Sequence, residues 1–181
     1  MNKLLKTVVL IAQIGGGLVG LGLIGRALLT EQPTKITMII HVAFILVFSF
    51  GIVAGVILIK RPRLGRLLSA IFQAMQIPLA TGPTVSYALF SGACFNVYKH
   101  ATGWGFNFLF GSRYYLSLNS GEPWLAGVNI VALVLFILLV RESWLQAADA
   151  KFGEFSSRSA RHFVPMQPDP ADGSPLRRTL S

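Results

Sequence analysis

The sequence predicts an all-α membrane protein with a small β addition. The expected form is a four-transmembrane-helix bundle with both termini cytoplasmic and a three- to four-stranded antiparallel meander outside, between helices three and four. Four apolar stretches separated by charged or turn-rich connectors point to it, in a chain that is 53% hydrophobic and only 13% charged. Strand-like alternation is confined to one segment between the last two apolar stretches.

A hydrocarbon core about 30 Å thick takes roughly 20 helical residues to cross. Residues 7–29 and 36–59 meet that length without an acidic residue. The helix expected over 67–81 is shorter and carries Pro78, and the one over 124–140 is a dense apolar run that stops at Arg141-Glu142. Backbone groups facing lipid must be satisfied within their own segment, so such runs are helices. The first run follows Lys3 and Lys6 as a signal peptide's would. It outlasts a signal core, no Ala-x-Ala-like site closes it, and it reads as a mature helix.

Charge sets the orientation, because Lys and Arg in short connectors stay on the cytoplasmic side. The connector after the second helix reads Lys60-Arg61-Pro62-Arg63-Leu64-Gly65-Arg66, whereas Thr30 to Lys35 holds one Glu and one Lys. With Lys3, Lys6 and Arg141 on the same side, residues 84–121 fall outside. The net charge of +9 is then a topology signal, with anionic headgroups as partner and no nucleic acid expected. The location that follows is a multi-pass protein of a bacterial inner membrane.

Small residues mark helix contacts. Ala12, Gly16 and Gly20 recur every fourth residue, and Gly51 and Gly55 repeat the spacing on the second helix. Such faces let backbones approach closely, within the bundle or between copies of a homo-oligomer. Polar residues at membrane depth are the second clue: Arg26, His41, Gln73, Gln76 and Asn129, with Gln13. Arg26, His41 and Asn129 share one outer depth, and Gln73 and Gln76 share a helix face. Interhelical hydrogen bonding is the simpler account of this cluster. A polar path with His41 titrating near neutral pH is the alternative.

Within 84–121 the large residues Trp104, Phe106, Phe108 and Phe110 alternate with small or polar ones. Gly111-Ser112 reads as a turn into Tyr114, Leu116 and Leu118. Upstream, Phe95 and Val97 alternate with Asn96 and Tyr98 before a turn over Lys99 to Gly103, and Thr84 to Phe90 adds a further strand. Trp104, Tyr114, Tyr115 and Trp124 suit the headgroup layer. Pro78 and Pro83 bracket a helix-to-strand connection. After the fourth helix, Trp144, Phe152 and Phe155 fall on one side of an amphipathic cytoplasmic helix over 142–157, a face for membrane or partner. The proline-rich tail 158–181 reads as disordered.

No chemistry-bearing motif appears, so no catalytic, cofactor-binding or metal residue is assigned. Cys94 is alone, the three histidines are far apart, and no phosphate loop, nucleophile elbow or H-E-x-x-H occurs. The expectation is a non-enzymatic subunit, a sensor, anchor or accessory protein, that self-associates. It would couple an outside β-rich cap to a cytoplasmic partner through the tail, for example in a bacterial stress or phage-defence system. An oligomeric channel is the alternative, and a lipid-modifying enzyme a distant third.

Overall fold

The structure, a computed structural model, describes residues 2–30, 32–119 and 121–145. The first helical run comprises α1 (Lys3–Leu10), one π-helical turn (Ile11–Gly15) and α2 (Gly16–Thr30). Then come α3 (Lys35–Lys60), capped by the Thr34 hydroxyl accepting from the Thr37 N–H at 3.2 Å, and α4 (Pro62–Gln76). Pro62 opens α4, where a missing N–H leaves nothing unpaired. Six strands follow: β1 (Pro78–Thr81), β2 (Val85–Phe90), β3 (Ala93–His100), β4 (Gly103–Phe110), β5 (Arg113–Leu118) and β6 (Leu125–Asn129). A last helix, α5, occupies 130–145.

This corrects the expected four-transmembrane bundle with a small meander. Among the described residues two helices are long and apolar enough to cross a membrane, Lys3–Thr30 with 28 residues and Lys35–Lys60 with 26. At about 1.5 Å per residue these reach roughly 42 and 39 Å. The helix expected over 67–81 stops at Gln76, and the 15 residues of α4 cover only about 22 Å. Pro78 has no N–H to offer the Ala74 carbonyl, which the Ile77 N–H takes at 3.3 Å instead. The helix expected over 124–140 begins only at 130, because 125–129 form β6. Asn129 then caps α5, its Oδ1 accepting from the N–H of Val131 at 3.1 Å and of Ala132 at 3.4 Å. Both expected spans thus give their sheet-side ends to strands, and these pair from Pro78↔Val128 to Thr81↔Leu125.

The sheet is antiparallel throughout, in the order β4-β3-β6-β1-β2-β5. Its main part is one long hairpin rather than a meander. Val85↔Leu118 to Phe90↔Arg113 and Ala93↔Phe110 to His100↔Gly103 keep a single register, and between them the Gly111 N–H donates to the Gly92 carbonyl at 2.7 Å. The turn expected at Gly111-Ser112 is therefore a bend within a strand, and the chain reverses at Ala101-Thr102. Gly92 and Gly111 sit at φ +92° and +117°, a backbone region that favours glycine. The bend divides the hairpin into a β2/β5 arm and a β3/β4 arm. β6 and β1 lie side by side and bridge β3 of one arm to β2 of the other.

The bend docks on the first helix at its π-helical turn. Ser91 donates its hydroxyl to the Ala12 carbonyl at 2.9 Å, and Ser112 to the Gly16 carbonyl at 2.6 Å. The Ser91 N–H donates to Gln76 Oε1 at 2.7 Å, so α4 holds the same point. The β2/β5 arm lies on α2 and α3, with Leu89, Tyr114 and Leu116 against Ile24, Phe44 and Phe48. A second cluster, Val9, Leu58, Ala70, Leu135 and Leu139, joins α1, α3, α4 and α5.

The helices bury polar side chains together with their apolar core and expose large apolar ones. On α4, Arg66, Ser69, Gln73 and Gln76 are buried beside Ala70 and Phe72, while Leu64, Leu67 and Ile71 are exposed. Gln13 is fully buried and accepts at Oε1 from the Ser69 hydroxyl at 3.0 Å. Ile11, Leu18, Ile39, Leu46 and Ile137 face outward. Water as solvent would select the reverse arrangement.

Candidate functional site

Strand alternation sends every second residue of both hairpin arms to the inside of the folded sheet. There they enclose a cavity of about 330 Å³ that receives residues from all six strands. Leu79, Ala88, Phe90 and Leu125 form its apolar wall. Asn96, Tyr98, Asn107, Arg113, Tyr115 and Glu122 supply its polar groups. Asn107 on β4 and Arg113 on β5, the two edge strands, are its exposed lining residues and mark its mouth.

Two glycines position Tyr98. Gly105 and Gly127 are its partners on the neighbouring strands. A Cβ at Gly105 would run into the Tyr98 ring, and one at Gly127 would lie 2.6 Å from the Tyr98 Cβ. Glu122 is held by hydroxyls: Tyr115 donates to Oε1 at 3.1 Å and Ser86 to Oε2 at 3.3 Å. Asn96 is only 3% exposed, and among the described residues its Oδ1 has no hydrogen-bond partner and its Nδ2 reaches only the Cys94 sulfur, at 3.5 Å. Across the β3–β6 pair, Asn129 faces Asn96 and carries the complementary unpartnered donor, Nδ2. Cys94 is buried beside them. Burial pushes its thiol above the usual range, against the pull of the Asn96 and Leu109 hydrogen bonds and the Arg113 charge. Among the described residues no three His, Cys, Asp or Glu side chains converge as a metal site would require.

The residues singled out in the sequence fall at several places. Gly16 meets Ser91 and Gly92, and Gly92 in turn lies against Ala12, so the start of the small-residue face receives the sheet bend. Gly20 meets the Phe48 ring, Gly51 the Phe72 ring, and Gly55 the Ile14 side chain. The polar residues have different surroundings. Arg26 is exposed. His41 is buried against Tyr114, with ring centroids 5.8 Å apart and Nδ1 unpartnered. Gln73 and Gln76 share the buried side of α4, and Asn129 caps α5. Of the aromatic anchors, Trp104 and Trp124 are exposed. Tyr114 and Tyr115 point to opposite faces, one onto the helices and one into the cavity. Trp144 is exposed near the end of the described part of α5, and Phe152 and Phe155 lie outside the described residues.

The cavity's own polar set was not singled out as a site. Its signal was the alternation itself, which sets Asn96 and Asn107 opposite the aromatic face. No known family model, curated protein or solved structure matches this chain.

Proposed function

We propose that this chain is a non-enzymatic, multi-pass sensor of a bacterial inner membrane whose folded sheet takes up a small polar molecule. The observation that carries this is the sheet cavity, where polar side chains from β3, β4 and β5 and from Glu122 converge against an apolar wall. A concave, mostly apolar space with a few convergent polar groups is the usual form of a small-molecule site. Membrane residence is supported by the two candidate spans and by the buried polar and exposed apolar side chains of α4. Lys60 ends α3, while the sheet lies against Phe44 and Phe48 in its other half, which sets the sheet away from the basic connector. Ligand in the cavity would alter the angle between the arms. The bend relays that change to the first helix through Ser91 and Ser112, and to α4 through Gln76. Output to a cytoplasmic partner is assigned to the chain beyond α5. Self-association fits the exposed aromatic face of β4.

The test is retention of a metabolite. The full chain in lipid nanodiscs is incubated with a soluble metabolite extract, washed and eluted for mass spectrometry. Ala88→Phe, which fills the cavity wall, and Asn107→Trp, which obstructs its mouth, serve as controls. We expect the unmodified chain to retain a small molecule that both variants lose. Retention of nothing, or equal retention by all three, would end the sensor reading.

A further inference from the structure

We propose that lipid of the outer leaflet covers the aromatic face of the β3/β4 arm, so that the sheet stands beside the spans at hydrocarbon depth; this rests on the membrane residence proposed above. The register sets the depth. Ser112 donates to the Gly16 carbonyl, near the middle of the 28-residue run Lys3–Thr30. Leu118 and Asn119 line a pocket with Ile36 and Thr37, at the start of α3. β5 therefore runs from mid-span to the end of the spans away from the basic connector, and β2 runs beside it. The pairs Ala80↔Tyr87, Thr81↔Leu125 and His100↔Leu125 carry the same levels across the sheet. They put the hairpin turn at the outer rim and Phe110, beside the bend, near mid-span.

The composition of the face follows that depth. Phe106, Phe108 and Phe110 are exposed on it, Phe95 and Val97 lie opposite Phe108 and Phe106, and Val128 extends it onto β6. Its charged residue, Lys99, lies over the Trp104 ring at the rim, where an amphipathic ring and a long cationic side chain both reach headgroups. A face turned to water would carry polar residues along its length. Here Arg113 turns into the cavity instead, as a charge at that depth must. Open strand edges at that depth have to be covered or line water, and the edge strands β4 and β5 carry the exposed cavity residues Asn107 and Arg113. Leu18 and Leu46, exposed near mid-span on α2 and α3, give the helices an apolar exterior at the same level. A second copy would not require the change from Phe to Trp and Lys toward the rim, whereas a lipid leaflet does.

The experiment is contact quenching of tryptophan emission by brominated lipid, with the full chain in vesicles of phosphatidylcholine and phosphatidylglycerol. Bromines sit either near the acyl-chain ends, deep in the bilayer, or near the headgroups. With Trp124→Phe and Trp144→Phe, the remaining Trp104 reports the rim. Adding Trp104→Phe with either Phe110→Trp or Leu18→Trp moves the reporter to the sheet or to α2 near mid-span. Both positions are exposed, so the larger ring displaces no buried side chain. We expect Phe110→Trp to lose as much emission to deep bromines as Leu18→Trp, and Trp104 to lose more to shallow bromines than to deep ones. Deep quenching of Leu18→Trp without quenching of Phe110→Trp would overturn the proposal and leave membrane residence standing. Acrylamide, a water-soluble quencher, would then separate a face in water from one covered by a second copy. Stronger deep than shallow quenching of Trp104 would also overturn the proposed depth order. If deep bromines quench neither Phe110→Trp nor Leu18→Trp, membrane residence falls and the lipid face with it.

Discussion

On the β2/β5 arm the outward side chains Tyr87, Leu89, Tyr114 and Leu116 lie against α2 and α3. On the β3/β4 arm the matching outward positions include Trp104 and Phe106, which are 73% and 77% exposed. The two arms belong to one hairpin in one register and carry apolar outer faces of similar weight. What differs is the cover. Their inner faces differ as well, with Ala88 and Tyr115 facing across one arm and Asn96 and Asn107 across the other. Alternation decides which residues share a face, and only tertiary packing decides which face is covered. The covered arm therefore fixes the sheet to the helices, and the uncovered arm, with the eight-residue edge strand β4, is the one able to move or to meet a partner.

The sharpest contrast is between two phenylalanines. Phe48 is fully buried, its ring on Gly20 and 6.2 Å from Tyr114. Phe48→Ala should cost about 3–5 kcal/mol in stability. Phe106→Ala, on the uncovered arm, should change stability by no more than about 0.5 kcal/mol. Chemical unfolding in one detergent gives both values. An equal loss would mean that the β4 face is covered in the assembled protein, and the contrast between the arms would fail.

Next in size is the contact that separates the arms. A Cβ at Gly16 would run into Ser91 and Gly92, whereas one at Gly22 would have nothing within 4 Å. Gly16→Leu should destabilise by about 1–3 kcal/mol through overpacking at the bend. Gly22→Ala should be neutral or stabilising by up to about 1 kcal/mol, from helix propensity. Equal shifts in thermal unfolding would show that the bend does not sit on that helix.

The first two helices were legible because their apolar length exceeds anything a strand uses. The alternation of Trp104 to Phe110 was legible for the same kind of reason, a period of two that no helix keeps. β1 and β6 were not. Each is a short apolar run joined directly to a helix, and periodicity cannot separate a buried strand from a buried helix over so few residues. Pro78 and Asn129 held the missing information, the first as a helix stop and the second as a helix start. Asn129 was read by its depth in an assumed span, so its capping role was hidden. The cavity was half legible. Asn96 and Asn107 could be put on one face, but Arg113 and Glu122 join them only because the hairpin bends at Gly92 and Gly111.

Asn129 supplies a third test. Asn129→Ala removes the cap of α5 and should cost about 0.5–2 kcal/mol. Asn129→Asp keeps an acceptor for the Val131 and Ala132 N–H groups and adds charge at a helix N-terminus, so it should retain most of that stability. A polar contact deep in lipid would give the opposite order, with Asp the more damaging. Unfolding midpoints of the two variants decide it.

The smallest expected effects return to the two arms through their polar contacts. Tyr87 on the covered arm donates its hydroxyl to the Met75 carbonyl at 2.7 Å, and burial raises its pKa, which keeps that donor protonated beyond the usual tyrosine range. Lys99 on the uncovered arm lies 5.8 Å from the Trp104 ring centroid, in an exposed cation–π contact. Tyr87→Phe should lose about 1 kcal/mol, because it leaves a partly buried carbonyl without its donor. Lys99→Gln should lose about 0.5 kcal/mol, because water replaces the ammonium over the ring at little cost. If Lys99→Gln proved the more damaging of the two, the β3/β4 arm would have to be held by something beyond this chain, and a second copy across the β4 edge would become the first candidate to examine by crosslinking.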